Sequence, residues 1–246
     1  MERLEYEVMA HVEDQLWWYV GMRRIADVWL QGLPITTILD AGCGTGGNAK
    51  WLTKYGHIIG FDYESVACGY TQQRDISVAC ASINAIPFRD QSFDLVTTFD
   101  VIYHRAVADD LAALKECYRV MAPGGHLLLR VAAFDWLGGH HHQRVHGARR
   151  YTPRGLTSLL QQAGFHVQKL SCVNTVLLPL VLAQVTMERL RHTAALDHSD
   201  VELPSPLVNR IGLTALNLEA ALLRIGISLP VGVSLLCLAQ RPIDQS

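Results

Sequence analysis

The sequence predicts an α/β fold, and three observations carry that expectation. Short β-branched apolar runs alternate with stretches of helical periodicity along most of the 246 residues, as in a parallel sheet with helices on both faces. The run Ile38-Leu39-Asp40-Ala41-Gly42-Cys43-Gly44-Thr45-Gly46-Gly47-Asn48 reads as the end of a buried strand, a glycine turn and a helix start. A second strand, His57-Ile58-Ile59-Gly60-Phe61-Asp62, ends in an acid 22 residues after Asp40. Open α/β sheets place a ribose-binding carboxylate at about that spacing.

Taken in order, residues 5–31 read as a helix. Val8, Val12, Leu16, Tyr19, Ile25, Val28 and Trp29 recur at roughly helical spacing, and Gly21 and Gly32 are candidate breaks. Ile35–Asp40 is the first strand, apolar enough for the middle of a parallel sheet. Thr45–Lys54 is the first crossover helix, His57–Asp62 the second strand, Ile76–Cys80 the third and Phe93–Phe99 the fourth. Ala106–Val120 is helical, with Leu111, Leu114 and Tyr118 on one face, and a Pro-Gly-Gly turn leads into a fifth strand near 127–129. Residues 133–152 form a long connection. Pro153–Ala163 is a helix with Thr152 as N-cap and Pro153 at its first position, closed by Gly164. Phe165–Cys172 and Gly232–Gln240 complete seven strands.

Bulk properties narrow the function classes. Hydrophobic residues make up 50% and the formal net charge is −2, which argues against disorder and against a general nucleic-acid binder. The charged start Met1-Glu2-Arg3-Leu4-Glu5 lacks a signal-peptide core, and the apolar run 176–183 is too short to span a bilayer. Six scattered cysteines without a C-x-x-C read as reduced core residues of a cytoplasmic protein.

The glycine turn explains a ligand site. Gly42 and Gly44 lack a Cβ, so the backbone can turn sharply and approach a ligand, and the following helix offers unpaired N–H groups. Gly42, Gly44 and Gly47 also satisfy a dinucleotide fingerprint. Asp40 weighs against it, because a carboxylate two residues before the first glycine would repel a pyrophosphate.

An acid just before G-x-G-x-G resembles the signature of class I S-adenosylmethionine-dependent methyltransferases. The run Ala81-Ser82-Ile83-Asn84-Ala85-Ile86-Pro87-Phe88-Arg89-Asp90-Gln91-Ser92-Phe93-Asp94-Leu95-Val96 resembles the type 11 family of small-molecule methyltransferases, as does Met121-Ala122-Pro123-Gly124-Gly125-His126-Leu127-Leu128-Leu129. The resemblance covers about 35–170 and the final strand. It implies a Rossmann-like sheet of seven strands, mostly parallel, with the last two an antiparallel pair, and S-adenosylmethionine as cofactor, leaving S-adenosylhomocysteine. It also implies Asp40 near the methionine ammonium, Gly42, Cys43 and Gly44 beneath the methionine, Asp62 on the ribose and Tyr63 on the adenine, with Ser82, Ile83 and Phe99 lining the cofactor. Two departures stand out. Ser82 replaces the acid that usually binds the adenine amino group, and Tyr103 replaces a glutamate before His104.

The acceptor side is less defined. His104 and Tyr103, off the end of the fourth strand, and His146 are the candidate general bases. Residues 136–187 contain no Asp or Glu but carry Arg144, Arg149, Arg150 and histidines 140–142 and 146. Paired arginines match phosphate or carboxylate geometry, so Arg149, Arg150 and Tyr151, with Trp18 from the N-terminal stretch, are the candidate acceptor residues. A solvated basic loop and a metal site are the competing readings. Adjacent histidines without a nearby carboxylate make a poor ligand set, so no metal is expected.

The expected organisation is a single domain: an N-terminal helical lid over 1–33, a cofactor core over 34–172, a helical cap insertion over 173–231 and a last strand over 232–240. The insertion holds two apolar helical stretches, Val176–Arg191 and Pro206–Ile225, which must bury their surface as a cap, a dimer interface or a peripheral membrane contact. The expected partner is a small-molecule or lipid-like acceptor with an anionic group, not a nucleic acid, for a monomer or homodimer. A nicotinamide-dependent oxidoreductase and a non-catalytic S-adenosylmethionine-binding partner protein are the alternatives.

Overall fold

The computed structural model describes residues 3–137, 147–191 and 203–243. Seven strands form one sheet in the order β3-β2-β1-β4-β5-β7-β6. They are β1 (Thr37–Ala41), β2 (His57–Asp62), β3 (Ser77–Cys80), β4 (Phe93–Phe99), β5 (Met121–Ala132), β6 (His166–Val173) and β7 (Ser234–Gln240). The first five run parallel, and β7 lies antiparallel between β5 and β6. This is the Rossmann-like sheet expected. Its central strands are mostly apolar because both faces are covered, with Asp40, Thr97, Thr98 and Arg130 as buried exceptions.

The crossover helices are α3 (Gly47–Leu52), α4 (Ser65–Gln72), α5 (Asp110–Val120) and α6 (Pro153–Gln162). On one face Leu39, Val96, Leu127 and Leu129 pack against Leu114 and Cys117 of α5 and Leu156 and Leu160 of α6. On the other, Ile38, Leu95 and Leu128 meet Leu52 of α3 and the helices described next. Helix α5 starts later than expected, because the Asp109 carboxylate caps it by accepting from Ala112 N at 3.0 Å. The Thr152 hydroxyl caps α6, accepting from Gly155 N at 3.1 Å.

The N-terminal stretch is two helices, α1 (Arg3–Val12) and α2 (Trp17–Leu30). The chain turns at 13–16, where Gln15 N and Leu16 N both donate to Val12 O. Gly21 is not a break. It lies inside α2, where a Cβ would come 2.4 Å from Leu216 Cδ1. Gly212 does the same for Trp17, with a clash at 2.4 Å, so the two glycines let α2 and its partner helix approach closely.

That partner comes from the insertion, whose helices are α7 (Leu178–Arg191) and α8 (Pro206–Arg224). Helix α8 packs on α2 and buries Leu216 and Leu223. Asn209 Oδ1 accepts from Trp17 N at 2.7 Å. The buried Glu219 carboxylate accepts from Asn174 N at 2.7 Å and Val176 N at 2.8 Å. The α8 part of the expected cap is therefore a buttress. It stands behind the N-terminal helices because glycines and an asparagine fit it there, and among the described residues of the insertion Pro204 alone borders the main cavity. Its outer face exposes Leu207, Ile211, Leu218 and Ile225. No described helix is long and apolar enough to cross a membrane.

Candidate active site

A cavity of about 640 Å³ lies at the carboxyl ends of β1, β2 and β4, beneath α1 and α2. At one end is the glycine turn. Gly42 has φ +85°, and a Cβ there would lie 2.3 Å from Val101 Cγ2. Gly44 has φ +56°, with the Met9 methyl 3.2 Å from its Cβ direction. Both positions therefore require glycine. Gly42 N and Cys43 N both donate to Phe61 O, at 2.8 and 2.9 Å, which fixes the turn to β2.

Asp62 borders this end. One carboxylate oxygen accepts from Gly44 N at 2.9 Å and the other from Glu64 N at 3.0 Å. Each keeps a further lone pair for a ligand hydroxyl. Burial raises its pKa, and the backbone donors oppose that rise. Tyr63 is 67% exposed at the rim. Ser82, Ile83 and Phe99 line the wall, with Ser82 Oγ accepting from Asn84 N at 3.2 Å. Asp40 sits beneath the turn, 1% exposed, and does not border the cavity. Its Oδ1 accepts from Thr97 Oγ1 at 2.8 Å, while Oδ2 is buried without a partner. Burial pushes its carboxyl up to about 7. The glycine cradle, the Asp62 oxygens and the orphaned Asp40 oxygen suit a cationic nucleoside such as S-adenosylmethionine. Asp40 is set behind the turn, so the expected direct contact with the ammonium is not open to it from this position.

The other end is made of side chains. Arg130 of β5, 6% exposed, lies 4.7 Å from the Trp18 ring and 5.2 Å from the Phe99 ring. Its Nε donates to Asp100 Oδ2 at 2.8 Å, so this cation is already neutralised. Tyr103 is buried, and burial holds its phenol well above its ordinary pKa. It is a hydroxyl donor here and not an anionic base. His104 Nδ1 accepts from Ala106 N at 3.1 Å. That contact uses the Nδ1 lone pair, so any base role for His104 would fall to Nε2.

The three candidate loop residues separate. Arg149 donates to Val107 O and Ala108 O, both at 2.9 Å, and Tyr151 donates to Asp110 Oδ2 at 2.7 Å. Neither borders the cavity. The span is acid-free in sequence only, because folding brings Asp110 against it. Arg150 does border the cavity. It donates from Nη1 to Ala133 O at 2.8 Å, its Nε is buried without a partner, and no described carboxylate pairs with it. Its burial lowers its pKa. His146 and the histidines at 140–142 lie outside the described residues. Among the described residues no three His, Cys, Asp or Glu could hold a metal ion.

Residues 39–129 match the family model of a methyltransferase domain, type 11. The chain carries a class I S-adenosylmethionine-dependent methyltransferase domain. A probable tRNA methyltransferase 9B of Mus musculus is 36% identical over 104 residues, 42% of this chain and 23% of that protein. A probable S-adenosylmethionine-dependent methyltransferase of Mycolicibacterium smegmatis is 30% identical over 142 residues, 53% of this chain and 52% of that protein. The chain thus spans about a quarter to a half of the length of these relatives. Among solved structures, a Haloferax volcanii methyltransferase in complex with the Trm112 activator covers 99% of this chain and 96% of its own, with TM-score 0.62 and 19% identity. That similarity speaks for the fold.

Residues that the cofactor motifs do not mark also face the cavity. Tyr6 and Met9 of α1, Glu13, and Asp100 with Arg130 all border the cavity. Arg130 had a sequence signal, a lone cation interrupting the apolar run Leu127-Leu128-Leu129-Arg130-Val131. Such a residue in a central strand must find a partner at its end. Glu13 had none beyond being an acid amid apolar helix positions.

Proposed function

We propose that this chain transfers a methyl group from S-adenosylmethionine to a small-molecule or lipid-linked acceptor that carries an anionic group. The observation that supports it is Arg150, a half-buried cation in the cavity wall with one donor spent on a carbonyl, Nε buried without a partner and no described ion pair, Asp135 acting on it only from beyond ion-pair distance. An uncompensated charge in such a place costs several kcal/mol, roughly, and an acceptor anion would offset that cost. The neighbouring Arg130 needs no such ligand, since Asp100 pairs with it.

Bound S-adenosylmethionine supplies a methyl group already activated on a sulfonium. What remains for the protein is mostly proximity and orientation. Asp62 and the turn at Gly42–Gly44 hold the donor end. Trp18, Phe99 and Tyr103 form an apolar wall around the acceptor and exclude water. Tyr103 and His104, both on the cavity wall, orient the acceptor.

A tRNA acceptor is the second reading, favoured by the name of the Mus musculus relative. Its identity spans 42% of this chain, and the family match at 39–129 holds the cofactor turn and not Arg150, so the likeness bears weakly on the acceptor. Incubating the protein with methyl-labelled S-adenosylmethionine and a cell extract split into small anionic molecules, lipids and RNA tests the proposal. Label in the small-molecule or lipid fraction supports it. Label confined to RNA contradicts it.

A further inference from the structure

We propose that Glu13 is a positioning residue for S-adenosylmethionine, pinning the helix that covers the cofactor to the turn that carries it. Glu13 follows α1 and is 3% exposed. Its Oε1 accepts from Thr45 Oγ1 at 2.5 Å and from Arg74 Nη2 at 2.8 Å, and its Oε2 faces Arg23 Nη2 at 3.5 Å. Thr45 belongs to the glycine turn, Arg74 follows α4, and Arg23 lies on α2. Arg23 Nε also donates to Asn48 of α3 at 3.1 Å. One carboxylate thus joins four segments around the cofactor end. Gly47 makes room for it, since a Cβ there would lie 2.1 Å from Glu13 Oε2.

The segment pinned in this way is α1, which brings Tyr6 and Met9 to the cavity wall. Met9 lies over Gly44, the residue whose N–H is held by Asp62. Arg74 also donates to Ala10 O at 3.4 Å and pairs with Asp14 at 2.8 Å, but Glu13 alone among these acids reaches the glycine turn, so its loss uncouples α1 from the turn that carries the cofactor. The pin acts on the bound state. Its loss therefore speeds cofactor departure more than it slows arrival, the usual pattern when contacts within one complex change.

The test is stopped-flow tryptophan fluorescence, because Trp17 and Trp18 border the cavity. S-adenosylmethionine is bound to the full chain and chased with excess S-adenosylhomocysteine. Glu13→Ala is expected to raise the dissociation rate about ten-fold or more, with the association rate changed less than about three-fold. Glu13→Gln, which still accepts from Thr45, should stay within about three-fold of the parent rate, and the Glu13→Ala/Thr45→Val double variant should match Glu13→Ala, since the Thr45 bond is already lost in Glu13→Ala. A residue that only stabilises the fold would lower the melting temperature and leave the dissociation rate alone. An unchanged dissociation rate in folded Glu13→Ala, or an effect confined to association, overturns the proposal. If Glu13→Ala does not fold, Thr45→Val decides in the same way, because it leaves both arginines paired with Glu13.

Discussion

The two ends of the cavity are built by different means. The cofactor end is made from a short contiguous turn and the last residue of the neighbouring strand, held by backbone groups: Gly42 N and Cys43 N on Phe61 O, and Gly44 N on Asp62. The proposed acceptor end is made from side chains delivered by α2, β4 and the loop after it, β5 and the connection before α6: Trp18, Phe99, Tyr103, Arg130 and Arg150. A site shaped by glycine dihedrals is encoded within a dozen residues. A site shaped by converging side chains is encoded by the sheet order, and only folding shows which candidates meet.

The largest effect should come from breaking the cofactor end. Gly42→Ala places a methyl group 2.3 Å from Val101 Cγ2 in a left-handed conformation. S-adenosylmethionine affinity by calorimetry should fall about a hundred-fold, close to 3 kcal/mol. Parent-like affinity in the folded variant would mean that the turn is not the cradle. Asp62→Ala should cost about 1–3 kcal/mol, or roughly ten-fold to a hundred-fold in affinity, because ligand hydroxyls and Gly44 N all lose an acceptor. Its melting temperature should fall as well, since the same carboxylate holds Glu64 N.

The difference between the ends also explains what could be foreseen from the sequence. The sheet order, the glycine turn and Asp62 were legible because strand runs, glycines and a strand-end acid are local signals. Arg149 and Tyr151 were misplaced because Asp110, 41 residues before Tyr151, draws them away from the cavity, and no periodicity reports such a contact. The insertion was legible as two helices but not as a buttress, because its seat depends on Gly21 and Gly212 meeting Leu216 and Trp17. Asp40 was found but placed one layer too high. Its role rests on burial, which depends on the strands at either side.

At the acceptor end, Arg150→Met keeps the side-chain bulk and removes the cation. The acceptor KM should rise about ten-fold, the scale of one charge-assisted hydrogen bond. An unchanged KM would return Arg150 to a structural part, holding Ala133 O.

The smallest effect concerns pH. The Asp40 carboxyl is raised from 3.8 to about 7, so between those values the ligand-free native state binds more protons than the unfolded chain. Ligand-free stability should therefore fall as pH rises through that window and level off above about 7. A cationic cofactor favours ionised Asp40, so its affinity should rise a few-fold from about pH 6 to 7.5, with proton release visible as a buffer-dependent binding enthalpy. Asp40→Asn should remove the part of both trends that lies near pH 7, leaving the fall in stability that the raised carboxyls of Asp62, Glu13 and Glu219 contribute. Persistence of the trends near pH 7 in that variant would assign them to another group.

The division of the cavity into a cofactor end and an acceptor end is tested most directly by crossing one variant from each. S-adenosylmethionine Kd and acceptor KM are measured for the parent, Asp62→Ala, Arg150→Met and the double variant, using the acceptor labelled in the extract. The account predicts that Asp62→Ala moves Kd alone, that Arg150→Met moves KM alone, and that the double variant shows both changes at nearly their separate sizes. A rise in cofactor Kd from Arg150→Met as large as that from Asp62→Ala would contradict it.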